Sequence, residues 1–213
     1  PSIVGWCPLN EAGGDEGLAT FQALLAATQD IDPGRPFLDA SGWIHLWPDT
    51  DIFDSHNYDQ NPASFAAANA MFALTGAEPY QNNRFDPRSA YRGQPYFVSE
   101  YGGTRYPPTE GDGWGYGTPA EDEDAFFERF EGLTRALMDN PNMFGMCYTQ
   151  LTDIEQELNG VYFYDRSPKY DVNRMKAILD RPAAYERQGP RLLRADWQDV
   201  APTSEADAES WRY

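Results

Sequence analysis

The stretch YFVSEYGG, residues 96–103, is an apolar, strand-like run that ends in a glutamate followed closely by two glycines. Such a run is typical of a strand buried on both faces within a parallel sheet. A carboxylate at the mouth of a buried strand is costly unless it is hydrogen-bonded or chemically needed, which makes Glu100 a candidate functional residue. The glycines permit a sharp exit from the strand. The stretch therefore predicts a parallel sheet with a carboxylate at one strand end.

Four other apolar runs alternate with amphipathic stretches along the chain. The runs cover residues 3–9, 36–40, 51–58 and 143–148. The amphipathic stretches predict helices at residues 17–28, 62–74, 122–138 and 172–179, with Asn61 as the cap of the second. This alternation predicts an α/β fold in which parallel strands have helical cover. Residues 189–213 are acidic and aperiodic, so we expect an extended tail after a body formed by residues 1–188.

The composition excludes several classes of partner. A net charge of −18 disfavours nucleic acid and anionic membrane surfaces, and no apolar run is long enough to cross a bilayer. Cys7 and Cys147 lie in apolar runs without metal-ligand spacing, which predicts buried free thiols, no zinc site and a reducing, cytoplasmic compartment. The aromatic content of 15% suits either core packing or the binding of sugar rings.

A second strand-like run also ends in a glutamate, because residues 3–11 read IVGWCPLNE. Considered alone, Glu11 is better explained as a helix cap or as the partner of an arginine, and Glu100 as a member of a strand-end ion pair. Together, two carboxylates on converging strands form the arrangement that glycosidases use. His56 and Tyr58 follow the third run two residues apart and so can face one pocket, although a lone histidine also suits a structural role.

A dense polar segment, CYTQLTDIEQELNGVY, leaves the fifth run at residues 147–162. It reads as a loop that follows a strand, with acidic residues able to fix its shape. Its acidic spacing does not match the calcium loop of an EF-hand. We predict no metal ligands and no cofactor.

Taken together, these segments resemble the catalytic domain of glycoside hydrolase family 2, the family of β-galactosidases, β-glucuronidases and β-mannosidases. Residues 1–6 with Asn10 and Glu11 are similar to its acid/base segment at the end of barrel strand four. Residues 97–103 look like its nucleophile segment at the end of strand seven. Residues 148–160 are similar to the strand-eight segment of a β-galactosidase-like branch. The resemblance covers residues 1–185.

This resemblance implies a partial (β/α)8 TIM barrel that covers strands four to eight, with the site at the carboxyl ends of the strands. It implies a retaining, double-displacement hydrolase of β-linked glycosides in which Glu11 is the general acid/base and Glu100 the nucleophile. The implied substrate-binding residues are Asn10, Trp43, His56, Tyr58 and Tyr148. Tyr148 stands where the family often has a tryptophan.

The resemblance also leaves alternatives. Strands one to three have no counterpart, so we expect a fragment that is not fully active alone and that self-associates or binds the missing N-terminal part of the barrel. A non-catalytic sugar-binding or assembly fragment is the main alternative, and an endo-acting mannanase or cellulase is another. A β-glucuronidase is disfavoured because no basic cluster is present to bind a carboxylate sugar.

Overall fold

The computed structural model describes residues 3–12, 18–45, 47, 50–82, 90–106 and 113–188. The predicted tail, residues 189–213, lies outside this range. The described strands are β1 (Phe53–Asn57), β2 (Tyr96–Gly102) and β3 (Met143–Thr149), and the described helices are α1 (Leu18–Ile31), α2 (Pro62–Ala68), α3 (Ala70–Thr75), α4 (Glu123–Met138) and α5 (Val172–Leu179). A short 3₁₀ turn follows at Glu186–Gln188. Within the described residues, no helix combines the length and apolarity that crossing a membrane requires.

The three strands form one parallel sheet in the order β1-β2-β3. Phe53 pairs with Tyr96, which in turn pairs with Met143, so the strands start in register. All five residues of β1 are buried, as expected for the centre of a parallel array covered on both faces. The predicted α/β class with a parallel sheet and helical cover is confirmed. The carboxyl ends of all three strands meet at one edge.

The prediction of strands at residues 3–9 and 36–40 was wrong in detail. These segments run parallel to each other but pair only at two isolated bridges, Trp6 with Phe37 and Asn10 with Ser41. The ladder is interrupted because its next donor after Trp6 would be Pro8, which has no N–H. Asp51, just before β1, donates its backbone N–H to the Phe37 carbonyl at 2.8 Å. Residues 36–41 therefore lie beside β1, residues 3–11 lie on their other side, and both segments extend the parallel arrangement.

The predicted helices are confirmed with one interruption. The Asn61 side chain caps α2 by accepting hydrogen bonds from the N–H groups of Ala63 and Ser64. Residues 62–74 form two short helices because Asn69 leaves helical geometry and donates its side-chain amide to the Phe65 carbonyl at 3.1 Å. The apolar stripe of α4 is buried, with Phe126, Phe127, Phe130, Leu133 and Leu137 in the core.

The core lies between the sheet and helices α2 to α5. One cluster joins sheet residues Phe53, Tyr96, Val98, Tyr101 and Met143 to Phe65, Phe72, Leu133 and Leu137 of the helices. The predicted burial of Cys7 and Cys147 was wrong, since both thiols are free and exposed. Their segments are the two outermost members of the parallel array, so one side of each faces solvent.

A buried ion pair fixes the segment that leaves β3. The Lys169 ammonium donates to Asp153 Oδ1 at 2.5 Å, and the side chains are 0% and 2% exposed. The Gly160 N–H donates to the same carboxylate oxygen at 2.9 Å. Burial lowers the pKa of Lys169, and the hydrogen bond that Lys169 donates to Asp153 opposes that shift. Removing one partner leaves the other as an uncompensated buried charge.

The substitution Lys169→Met is therefore expected to lower the free energy of unfolding by about 3–5 kcal/mol, measured by urea denaturation. The matched control is Lys176→Met, because Lys176 pairs with Asp180 at an exposed site, with side chains 70% and 59% exposed. Losing that pair should cost less than about 1 kcal/mol. Equal losses in the two variants would contradict the structural importance of the buried pair.

Candidate active site

The two strand-end glutamates converge on one imidazole nitrogen. Glu11 Oε1 lies 2.7 Å from His56 Nδ1, and Glu100 Oε2 lies 3.4 Å from the same nitrogen. Ionised carboxylates only accept hydrogen bonds, so Nδ1 is the donor. The contacting atoms of the three side chains all lie within 4.8 Å of one another. The glutamate side chains are 38% and 26% exposed, so the carboxylates are close to each other and open to a ligand.

The backbone around His56 holds its ring in place. His56 lies in β1 and is 2% exposed, and the Asn82 side chain bonds both its N–H and its carbonyl, at 2.9 and 2.7 Å. Gly42 packs directly on the ring, since a Cβ there would fall 2.6 Å from Nδ1. Its φ of +88° also favours glycine. Nε2 of the ring is buried without a hydrogen-bond partner among the described residues.

Tyr58 binds the second glutamate directly. Its hydroxyl donates to Glu100 Oε2 and lies 3.3 Å from Thr149 Oγ1, at the end of β3. Burial and the hydrogen bond to Glu100 raise the pKa of Tyr58, so the hydroxyl stays protonated. The Tyr116 ring stacks on Tyr58 with centroids 3.4 Å apart and planes within 5°. The strand ends thus bring together one donor hydroxyl and an aromatic wall beside Glu100.

The backbone at Glu11 adopts a conformation uncommon for its residue type. Its φ is +48°, in the left-handed region, and such positions occur more often at functional sites. The Glu11 N–H donates to the Ser41 carbonyl at 2.8 Å. The Asn10 side-chain oxygen accepts from the Ser41 hydroxyl at 2.5 Å. Residue 41 therefore anchors the backbone and the side chain that carry Glu11 to the pocket.

A buried charged network lies beneath this group. Asp54 accepts the Gly42 N–H through both carboxylate oxygens, at 3.0 and 3.1 Å, and also accepts the Ser99 hydroxyl. His45 lies between Asp39, at 2.8 Å, and Asp54, at 3.4 Å. Burial raises the pKa of Asp54 to about 6, against the opposing effect of His45. This network fixes Gly42, and Gly42 in turn fixes the His56 ring.

Two predicted site residues lie away from the carboxylates. Trp43 is 55% exposed, and within the described residues no hydrogen bond or ring contact joins it to either glutamate. Tyr148 packs on Tyr101 and Phe130, with centroids 5.4 and 5.1 Å away. Its hydroxyl accepts the Thr104 N–H at 3.3 Å. Their sugar-binding roles stay predictions, whereas Glu11, Glu100, His56 and Tyr58 form one connected group that Asn10 borders.

Sequence reasoning missed several residues of this site. They are Thr149 and Tyr116, which contact Tyr58, and Asp39, His45 and Asp54 of the buried network. The stretch GWGYG at residues 113–117 alternates glycines with aromatic rings, a pattern that hinted at a shaped loop. The buried network is harder to recognise in the sequence, because aspartate and histidine are usually found at the protein surface.

The same three side chains are also a candidate cation site. Among the described residues, Glu11, His56 and Glu100 are the one group of three or more His, Cys, Asp or Glu residues placed to hold a metal ion. However, the nitrogen that would bind the ion is the one that already donates to Glu11 at 2.7 Å. A hydrogen bond explains this geometry without an ion.

Comparison with known proteins identifies the fold. No protein-family model and no curated protein matches the sequence. Among solved structures, a family 2 β-galacturonidase from Eisenbergiella tayi bound to galacturonate matches with a TM-score of 0.60 and 18% identity over 84% of this chain. A β-glucuronidase from Lactobacillus rhamnosus matches with a TM-score of 0.56 and 16% identity over 87% of the chain.

A third match is a Bifidobacterium dentium β-glucuronidase complexed with coumarin-3-O-glucuronide, with a TM-score of 0.58 and 18% identity over 86% of this chain. The matched parts are 33%, 33% and 32% of the three solved chains. This chain therefore spans about a third of the length of these structures and shares the fold of that third.

Proposed function

We propose that this chain belongs to glycoside hydrolase family 2 and carries the catalytic pair of a retaining β-glycosidase. The observation that carries the proposal is the convergence of Glu11 and Glu100 within 4.8 Å around one imidazole nitrogen. Retaining glycosidases hold their two carboxyl groups about 5–5.5 Å apart, whereas inverting enzymes need about 6.5–9.5 Å to admit a water. The short separation favours double displacement.

In the first step, the Glu100 carboxylate attacks the anomeric carbon while Glu11 gives a proton to the departing glycosidic oxygen. The Tyr58 hydroxyl, which donates to Glu100, orients the carboxylate for attack. The product is a glycosyl ester of Glu100 with inverted configuration. Tyr58 stays a hydrogen-bond donor because burial raises its pKa.

In the second step, Glu11 takes a proton from a water molecule that attacks the same carbon from the opposite face. Glu100 is released as a carboxylate, and the sugar regains its β configuration. His56 positions Glu11 during both steps, since its Nδ1–H donates to Glu11 Oε1 at 2.7 Å. The exposed side of Glu11 gives the leaving group and the water a route to the site.

The fold supports placing this pair in part of a TIM barrel. We assign residues 3–11, residues 36–41, β1, β2 and β3, which lie in parallel order, to barrel strands four to eight. The similar solved structures cover 84% and 86% of this chain. Within the family, the segment at residues 148–160 favours a β-galactosidase-like branch. Within the described residues, both outer edges of the parallel array lack a further strand, so association with a further part of the barrel, or with a second copy, is part of the proposal.

The direct test is the stereochemistry of hydrolysis. Aryl β-galactosides, β-glucosides and β-mannosides should release a sugar whose first detectable anomer is β, followed by proton NMR before mutarotation. The reason is that two inversions at one carbon restore the starting configuration. Initial release of the α anomer would contradict the double displacement.

The competing proposal is that the chain is a sugar-binding or assembly fragment without turnover. It is favoured because the chain spans only about a third of the length of the similar solved structures. Saturation-transfer NMR with the same glycosides separates the two. Binding without hydrolysis, with and without a separately supplied partner segment of the barrel, would support the fragment. Hydrolysis would support the enzyme.

A further inference from the structure

A third carboxylate, Glu157, lies on the segment that leaves β3. The fully buried Asn159 donates its side-chain amide to Glu157 Oε1 at 3.0 Å. Gln150 donates in turn to the Asn159 side-chain oxygen at 2.9 Å. Glu157 also exchanges backbone hydrogen bonds with Ile154, at 2.8 and 3.1 Å. The position of this carboxylate is therefore fixed by the fold, unlike that of an ordinary surface glutamate.

The support of Glu157 packs against the end of β2. Gly103 follows Glu100 by three residues, and a Cβ on it would fall 3.2 Å from Asn159 Nδ2 and 2.5 Å from the Tyr116 ring. The φ of Gly103 is +65°. Only a glycine allows the amide and the ring to approach the backbone this closely. The segment after β3 thus closes over the exit of the strand that carries Glu100.

Tyr116 lies between the glutamate pair and the support of Glu157. Tyr116 stacks on Tyr58, which donates to Glu100. Burial raises the pKa of Tyr116, and the charges of Glu157, Glu100 and Glu11, in that order, raise it further. The Tyr116 ring and the Asn159 amide that bonds Glu157 both pack on Gly103, so Tyr116 lies between Tyr58 and the support of Glu157. We refer to Glu11, Glu100 and Glu157 as the three-carboxylate group.

The nearby cations of the described residues are engaged elsewhere. Arg105 and Arg129 donate to backbone carbonyls of residues 113 and 118, and Lys169 is paired with Asp153. Within the described part of the chain, no arginine or lysine forms an ion pair with a member of the three-carboxylate group. Among the described residues, a carboxylate ligand entering this pocket would therefore meet like charges that no ion pair compensates.

We infer that Glu157 restricts this site to glycosides of neutral sugars and excludes uronides, although the proteins of similar fold include a β-galacturonidase and β-glucuronidases. The inference rests on the proposed glycosidase function and names its substrate class. Sugar hydroxyls can donate to a fixed carboxylate, whereas the carboxylate at C5 of a uronide is repelled by it. Discrimination by a like charge is an ordinary route to specificity.

The test compares sugars that differ only at C6. The 4-nitrophenyl β-galactoside is paired with the β-galacturonide, and the β-glucoside with the β-glucuronide. In whichever of these two pairs the wild-type chain hydrolyses, its kcat/KM should be higher for the neutral glycoside than for the uronide. In Glu157→Gln this preference should fall by about tenfold or more, because the repulsion is lost while the amide oxygen still accepts from Asn159.

The matched control is Glu155→Gln, which removes the same charge from an exposed glutamate on the same segment. It should change the preference by less than about twofold, because exposed charges are screened. An equal change in both variants would overturn the role of Glu157 and leave only a general effect of net charge. A wild-type preference for the uronide would overturn the inference outright while leaving the proposed glycosidase function intact.

Binding keeps the inference testable when turnover is absent. Isopropyl 1-thio-β-galactoside and the corresponding thiogalacturonide resist hydrolysis and can be titrated by NMR. The neutral ligand should bind at least about tenfold more tightly to the wild type than the thiogalacturonide, and Glu157→Gln should narrow the difference. Equal affinities, or no binding of the neutral ligand, would overturn the inference. If the chain shows the expected binding pattern but no hydrolysis, the proposed glycosidase activity would be contradicted and the inference about Glu157 would stand.

Discussion

Replacing Glu100 by glutamine is expected to lower kcat on aryl β-glycosides by roughly 10⁴-fold or more, since a side-chain amide cannot form the glycosyl ester. The substitution conserves shape. The glutamine oxygen can still accept the Tyr58 hydroxyl, which donates to this side chain in the structure. The thermal midpoint should therefore stay close to that of the wild type, which separates loss of chemistry from loss of fold.

Azide rescue identifies the role of Glu100 more sharply. In Glu100→Ala the side chain leaves a space beside Tyr58 that a small anion can enter. Azide should then attack the anomeric carbon while Glu11 protonates the leaving group, and the product should be the α-glycosyl azide. Its stereochemistry is read by NMR. Failure of azide to restore turnover, together with full activity of Glu100→Gln, would refute the assignment of the nucleophile.

The fold was largely predictable from sequence because buried parallel strands leave continuous apolar runs. Residues 51–58, 96–99 and 143–148 each proved to contain a strand. The predictions of strands and helices failed where a single side chain changed the backbone hydrogen bonding within an apolar run. Pro8 removes a ladder donor, so residues 3–9 pair at single bridges. Asn69 competes for the Phe65 carbonyl, so one predicted helix became two. Both effects depend on single side chains within otherwise regular patterns.

The central side chains of the site were predictable for a related reason. The carboxyl ends of neighbouring parallel strands meet at one edge, so polar residues directly after apolar runs come together. Glu100 and His56 are therefore close. Tyr58 was predictable because it lies two residues after His56 and so can face the same pocket. The position of Glu11 required one further fact, that residues 36–41 lie between its segment and β1.

The side chains supplied by loops could not be predicted in this way. Tyr116 and Glu157 lie on segments without periodicity, and their positions depend on contacts between distant residues. Gly103 admits Tyr116 and Asn159 because it lacks a Cβ, and the sequence does not reveal which side chains fill that space. Trp43 is an exposed aromatic residue near a predicted strand end, and its sugar-binding role stays a prediction.

Glu11→Ala is the second substitution with a large expected effect, and its size should depend on the leaving group. Glycosides with poor leaving groups, such as methyl β-glycosides, should lose about 10²–10⁴-fold in kcat/KM, because they need the proton from Glu11. Dinitrophenolate is a stable anion that departs without a proton, so the rate at which Glu100 attacks dinitrophenyl glycosides should be nearly unaffected. The glycosyl-enzyme should then accumulate. A burst of dinitrophenol would measure this.

The structure indicates that Glu11→Ala keeps the rest of the site. The Glu11 side chain is 38% exposed, so its loss leaves no buried cavity, and His56 Nδ1 retains Glu100 at 3.4 Å. Azide should attack the accumulated glycosyl-enzyme from the β face and yield the β-glycosyl azide, opposite to the product expected for Glu100→Ala. The two azide products together assign one role to each glutamate. An equal loss on both classes of leaving group would show that Glu11 positions the site without donating the proton.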